Sequence, residues 1–86
     1  MANELKKRLE ELARLEEITK RADDELMANP QSTQKEEAFD VAYWKEYNAF
    51  MAVAELIVEM AGGKINIKTA KAMVRTKRNE ILNLVA

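Results

Sequence analysis

The amino-acid sequence predicts an all-α fold: a three-helix antiparallel bundle, elongated because the central helix is the longest. Three observations carry this. Within each of three segments, about 5–26, 39–61 and 67–85, apolar side chains recur at steps of three, four or seven, the spacing that lines them up along one side of a helix. No stretch alternates polar and apolar residues as a half-buried strand would. Two punctuation sites, Asn29-Pro30 and Gly62-Gly63, divide the chain into three periodic segments joined by short links. At 86 residues the chain fits one domain, which buries only about 60 to 65% of its unfolded surface.

Helix 1 is expected over about residues 4–28, with Asn3 as N-cap. Its apolar positions are Leu5, Leu9, Leu12, Leu15, Ile18, Ala22 and Leu26. Three successive steps of three between Leu9 and Ile18 make the stripe drift around the axis, so its contact face should change midway. Glu4 with Arg8, Glu10 with Arg14, Glu16 with Lys20 and Glu17 with Arg21 are acid-to-base pairs four apart, each worth about 0.2 to 0.5 kcal/mol. Asn29-Pro30 ends the helix, because proline disfavours helical geometry in the residue before it and has no N–H to donate.

Helix 2 is expected over about residues 34–61. Thr33-Gln34-Lys35-Glu36 reads as a capping box; a start one turn earlier, with Asn29 as cap and Pro30 at the first helical position, also fits the chemistry. Gly62-Gly63 closes the helix, since glycine takes the left-handed conformation readily. Helix 3 is expected over about residues 67–85, with Asn66 as N-cap and Ile65 stapled to Ala70. Its apolar face is Ile67, Ala70, Val74, Ile81 and Val85, widened by Met73 and Leu84, and Lys68, Lys71, Arg75 and Arg78 line an adjacent stripe.

Composition excludes most familiar chemistry. With no cysteine there is neither disulfide nor thiolate metal site, and a reducing cytoplasmic home is the simplest assignment. With no histidine the usual general base and commonest metal ligand are missing. The opening Met1 to Arg8 lacks the apolar run of a secretory signal. The longest strongly apolar stretch, residues 49–61, contains Glu55 and Glu59 and falls short of the roughly 20 residues that span a bilayer, so no membrane partner is expected. Gly62-Gly63-Lys64 is not a phosphate loop, because Val58 and Ile65 stand where glycine and Ser or Thr are required. Glu55 and Glu59 lack the histidine that helical di-metal sites add. Ser32 has no imidazole to activate it. We therefore expect no enzyme, no cofactor and no metal.

The informative segment is helix 2. It carries two apolar seams, one at Phe39, Tyr43, Glu46, Phe50, Val53, Ile57 and Met60, the other at Trp44, Tyr47, Met51, Ala54, Val58 and Ala61. A middle helix touches two neighbours, so a wide apolar face is ordinary. Here, though, the polar strip is narrow, whereas a surface helix keeps about half its circumference polar. An unfilled seam is expected, with Trp44, Tyr47, Met51 and Val58 as the interface, since large rings and flexible thioethers suit association. Glu46 interrupts the first seam and must reach the rim or meet a basic or phenolic partner; in an interface it could set register.

Charge is also uneven. Residues 1–61 hold 8 basic and 14 acidic side chains, residues 62–86 hold 6 basic and 1 acidic. The simpler consequence is neutralisation between antiparallel segments; the other is a surface for nucleic acid or an acidic partner made of Lys64, Lys68, Lys71, Arg75 and Arg78. That stripe lacks the Asn, Gln or Ser side chains that read base edges, so phosphate attraction alone would give salt-sensitive, nonspecific binding. The reading is a non-catalytic protein-interaction module, an adaptor or inhibitor-like accessory protein, that self-associates through helix 2 or meets another protein there. The alternative is a small nucleic-acid-binding regulator using helix 3.

Overall fold

A computed structural model describes the backbone of residues 2–85 and the side chains of residues 3–81. It is all-helical, with four helices: α1 (Ala2–Ala28), α2 (Thr33–Met60), α3 (Ile67–Thr76) and α4 (Arg78–Val85). Two long helices, α1 and α2, form an antiparallel hairpin along the whole molecule, which measures 46 × 23 × 19 Å. The short helices α3 and α4 return along only part of it, α3 against α2 and α4 against α1.

The turn after α1 forms as the proline requires. The side chain of Asn29 donates to the Glu25 carbonyl at 3.1 Å, and the Ser32 N–H closes the turn on the Asn29 carbonyl at 3.0 Å. The cap of α2 is Ser32 rather than Thr33: Ser32 is extended (φ −82, ψ 110) and its Oγ accepts from the Lys35 N–H at 3.2 Å. Serine and threonine are both competent caps, and Lys35, one turn in, also bridges the loop to Glu25 at 3.0 Å. At the other end of the chain α1 already includes Asn3, which lies in its first turn instead of capping it.

The close of α2 follows the expected chemistry. Gly62 donates to Glu59 O at 3.0 Å and Gly63 to Val58 O at 3.1 Å, the paired bonds that satisfy the last carbonyls of a helix when the next residue is left-handed. Both glycines supply the positive φ, +64 and +79. Asn66 caps α3, its Oδ1 accepting from the Thr69 N–H at 2.8 Å. Ile65 and Ala70, the expected staple, belong to the same apolar cluster.

The third helix is broken where a continuous one was expected. Lys77 leaves the helical region (φ −126, ψ 23). Two side chains compete with the ladder there: Thr76 Oγ1 donates to Ala72 O at 2.7 Å, and Arg78 Nε to Val74 O at 3.2 Å. A hydroxyl bonded back onto the preceding turn bends helices, and the arginine satisfies a carbonyl at the break. The bend turns α4 across to α1, where Arg78 pairs with Glu16 and Ile81 enters the core. Leu84 and Val85, expected on this apolar face, lie outside the described side chains, and Ile67, expected on it too, is exposed.

The core is one cluster confined to one half of the hairpin: Leu5, Leu9 and Leu12 of α1, Phe50, Val53, Ala54, Leu56 and Ile57 of α2, Ala70 and Val74 of α3, and Ile81 of α4. Toward the 29–32 turn only Leu15, Thr19 and Ala42 are buried. There the stripe of α1 departs from expectation, with Ile18 exposed and Thr19 facing α2. Leu5, Leu12, Thr19 and Leu26 recur every seven residues, so the true seam keeps a heptad and crosses to a threonine. Its hydroxyl lies 2.9 Å from Leu15 O and 3.2 Å from Ala42 O, a close approach that the small Ala42 side chain permits. Of the four expected ion pairs, Glu4–Arg8 (2.9 Å) and Glu17–Arg21 (3.6 Å) form, while Arg14 turns to Glu11 and Glu16 crosses to Arg78.

Candidate functional site

Along the half of α2 nearest the turn, no third helix stands over the hairpin. Phe39, Tyr43, Trp44 and Tyr47 fall at steps of four, one and three, which gathers their rings on one side of the helix. Tyr43 meets Trp44 edge-on, centroids 5.5 Å apart at 80°, and Trp44 meets Tyr47 at 5.7 Å and 83°. Phe39 tilts against Tyr43 at 6.2 Å. Edge-to-face contacts of this kind fix ring orientation. The assembly nonetheless faces outward, with Trp44 58% and Tyr43 43% exposed.

The two seams therefore do not remain open along their length. In the second half of α2, α1 and α3 pack on it, with α4 closing over α1: Phe50, Val53, Ile57 and Ala54 are buried, and Met51 and Val58 are partly buried against the core. Of the four expected interface residues, Trp44 is exposed, Tyr47 is half-buried beside it, and Met51 and Val58 pack internally. The apolar excess lies at one end of the helix.

At the boundary between the halves a cavity of about 170 Å³ opens between Tyr43, Tyr47, Glu46 and Glu16 on one side and Arg75 and Arg78 on the other. Glu46 reaches its rim, half-buried, and makes no ion pair among the described residues. Arg75 lies 4.8 Å from the centre of the Phe50 ring, a cation–π contact that also covers the core's upper edge. Arg78 is held by Glu16 and the Val74 carbonyl. The basic stripe is thus divided: Arg75 and Arg78 serve the fold, Lys64 and Lys68 are exposed, Lys71 is half-buried, and these three lysines have no ion-pair partner among the described residues.

On the opposite side of the hairpin, a groove of about 500 Å³ runs over Leu15, Ile18, Ala38, Val41 and Ala42, rimmed by Arg14 and Lys45. Sequence reasoning missed Val41 and took Ile18 for core. The drift of the α1 stripe was the available signal, since it carries Ile18 away from the α2 contact. Arg14, on the groove's rim, pairs with Glu11 one turn before it. Their hydrogen bond, at 3.0 Å, holds the Glu11 carboxyl below its ordinary range and raises the Arg14 guanidinium.

Among the described residues no three acidic side chains converge as a metal site requires, and no helix is long and apolar enough to cross a membrane. No protein-family model, curated protein or solved structure matches this chain.

Proposed function

We propose that the chain is a non-catalytic protein-interaction module that self-associates through the turn-proximal half of α2. A single observation carries this: an ordered aromatic group with Trp44 at its centre, 58% exposed, on a rigid helix rather than a loop. Covering that ring would remove roughly 100 Å² from water, about 2.5 kcal/mol. Trp and Tyr dominate the energetics of protein interfaces because they contribute large area at small conformational cost. The reading places the module in the cytoplasm, consistent with a chain that contains no cysteine.

Trp44→Glu and Tyr43→Glu test it, because both side chains are exposed and surface changes typically alter stability by no more than about 0.5 kcal/mol. Light scattering is expected to give a mass above the 9.8 kDa of one chain, falling to one chain in either variant while the helical circular dichroism persists. A wild-type monomer at high micromolar concentration overturns the proposal.

The nucleic-acid reading draws support from the exposed Lys64 and Lys68. It is weakened by the internal use of Arg75 and Arg78, the side chains best suited to phosphate and guanine. A salt-sensitive anisotropy signal on generic duplex, lost in Lys64→Glu with Lys68→Glu, is what it requires.

A further inference from the structure

Resting on that self-association, we infer its arrangement: a two-fold dimer in which two copies lie side by side and antiparallel, the thin acidic end of each against the thick basic end of the other. Four features converge on it. The first is area. A stable interface needs about 800 Å² from each partner; an end face of 23 × 19 Å offers roughly 440 Å², whereas a long face of 46 × 23 Å offers roughly 1,000 Å². The second is charge. Residues 16–47 hold nine acidic and four basic side chains, and residues 62–86 six basic and one acidic, so like ends repel and unlike ends attract.

The third is shape. Two helices build one end of the molecule and four the other, and an antiparallel pair sets each bulge into the other's recess. The partner's α3 then lies along the turn-proximal half of α2, beyond the stretch where Ala54 and Met51 already pack into this copy's own core. The fourth is register. Because α3 packs back along α2, inverting one copy makes α2 and the partner's α3 run parallel. Glu37, Asp40 and Trp44 are spaced by three and four, and so, in the same order, are Lys68, Lys71 and Arg75. One alignment therefore pairs Glu37 with the partner's Lys68 and Asp40 with the partner's Lys71, and brings Trp44 level with the partner's Arg75. A two-fold axis makes every contact twice.

Charge reversal tests this on the full chain. Glu37→Lys with Asp40→Lys makes one variant, Lys68→Glu with Lys71→Glu the other, each checked for wild-type helicity and melting. Sedimentation equilibrium is expected to show at least a tenfold weaker dimer for each alone and restoration when they are mixed in equal amounts, since both contact sets of the mixed dimer are then complementary. If the half-buried Lys71 proves needed for folding, Lys68→Glu alone is mixed with Glu37→Lys alone, which reverses one matched pair and keeps the mixed dimer complementary. Undiminished dimerisation of either variant, or no recovery on mixing, overturns the arrangement. Trp44→Glu tells the two proposals apart: monomerisation by it alone keeps self-association and rejects this geometry, and a monomeric wild type rejects both.

Discussion

The two halves of α2 both carry apolar side chains at helical spacing, sparsely over residues 33–46 and densely over residues 47–60, and they end in opposite environments. Val53, on the part of α2 that packs with both α1 and α3, has no accessible surface, while Trp44, two and a half turns earlier, is 58% exposed. The difference lies in what stands beside the helix. Of the short helices only α3, 10 residues long, lies along α2, too short at 1.5 Å each to follow a 28-residue helix, and after the break at Lys77 α4 packs on α1 instead. Burial therefore ends where the short helices end. A helix can be amphipathic over its whole length and still be finished by its own chain over only half of it.

That contrast is open to direct attack. The largest expected effect comes from matched truncations on α1: Leu9→Ala, in the four-helix half and 1% exposed, should cost about 3 kcal/mol or more. Leu26→Ala, at the half-buried turn end, should cost about 1 kcal/mol because little packing is lost. Equal losses in urea midpoint would show that the two ends are packed alike. A smaller effect is expected at the boundary. Thr19 is the one buried polar side chain on this seam, and Thr19→Val, similar in shape but lacking the hydroxyl, should cost about 1 kcal/mol. A neutral or stabilising result in thermal melts would mean that the Thr19 hydroxyl does not help to hold the thin half.

The smallest effect concerns the rim of the opposite groove. Glu11 has a lowered carboxyl pKa because Arg14 donates a hydrogen bond to it. A group whose folded value is depressed contributes its stability at neutral pH and loses it as pH falls through that folded value. Arg14→Gln should therefore flatten the acid limb of the stability profile slightly, with little change at neutral pH, because the pair is fully exposed and screened by solvent. A steeper acid limb in the variant would contradict this sign.

Much of the architecture is legible in the residues. Asn29-Pro30 and Gly62-Gly63 punctuate the chain for reasons internal to their own backbones, and Asn66 caps α3 as any asparagine in that position can. Less legible is every outcome that required a competitor. Ser32 and Thr33 are both competent caps, and it is Ser32 that takes the role, next to a loop that Lys35 bridges to Glu25. Glu16 had a partner four residues away in Lys20 and took Arg78 from α4 instead. Thr19 is polar, yet it is buried because it falls on the heptad of Leu5, Leu12 and Leu26.

The candidate surface divides in the same way. That α2 carries more apolar and aromatic area than a chain of this size can easily cover follows from composition and spacing alone, because helical periodicity places Phe39, Tyr43 and Trp44 whatever the partner. Where that excess stays open depended on tertiary structure: the bend at Lys77 ends the layer over α2 and sends α4 to α1, so Met51 and Val58 are covered and Trp44 is not. Local rules act through neighbouring backbone and are written in the sequence, whereas burial depends on how far another segment reaches, and that was decided by the packing of α3 and α4 against the hairpin.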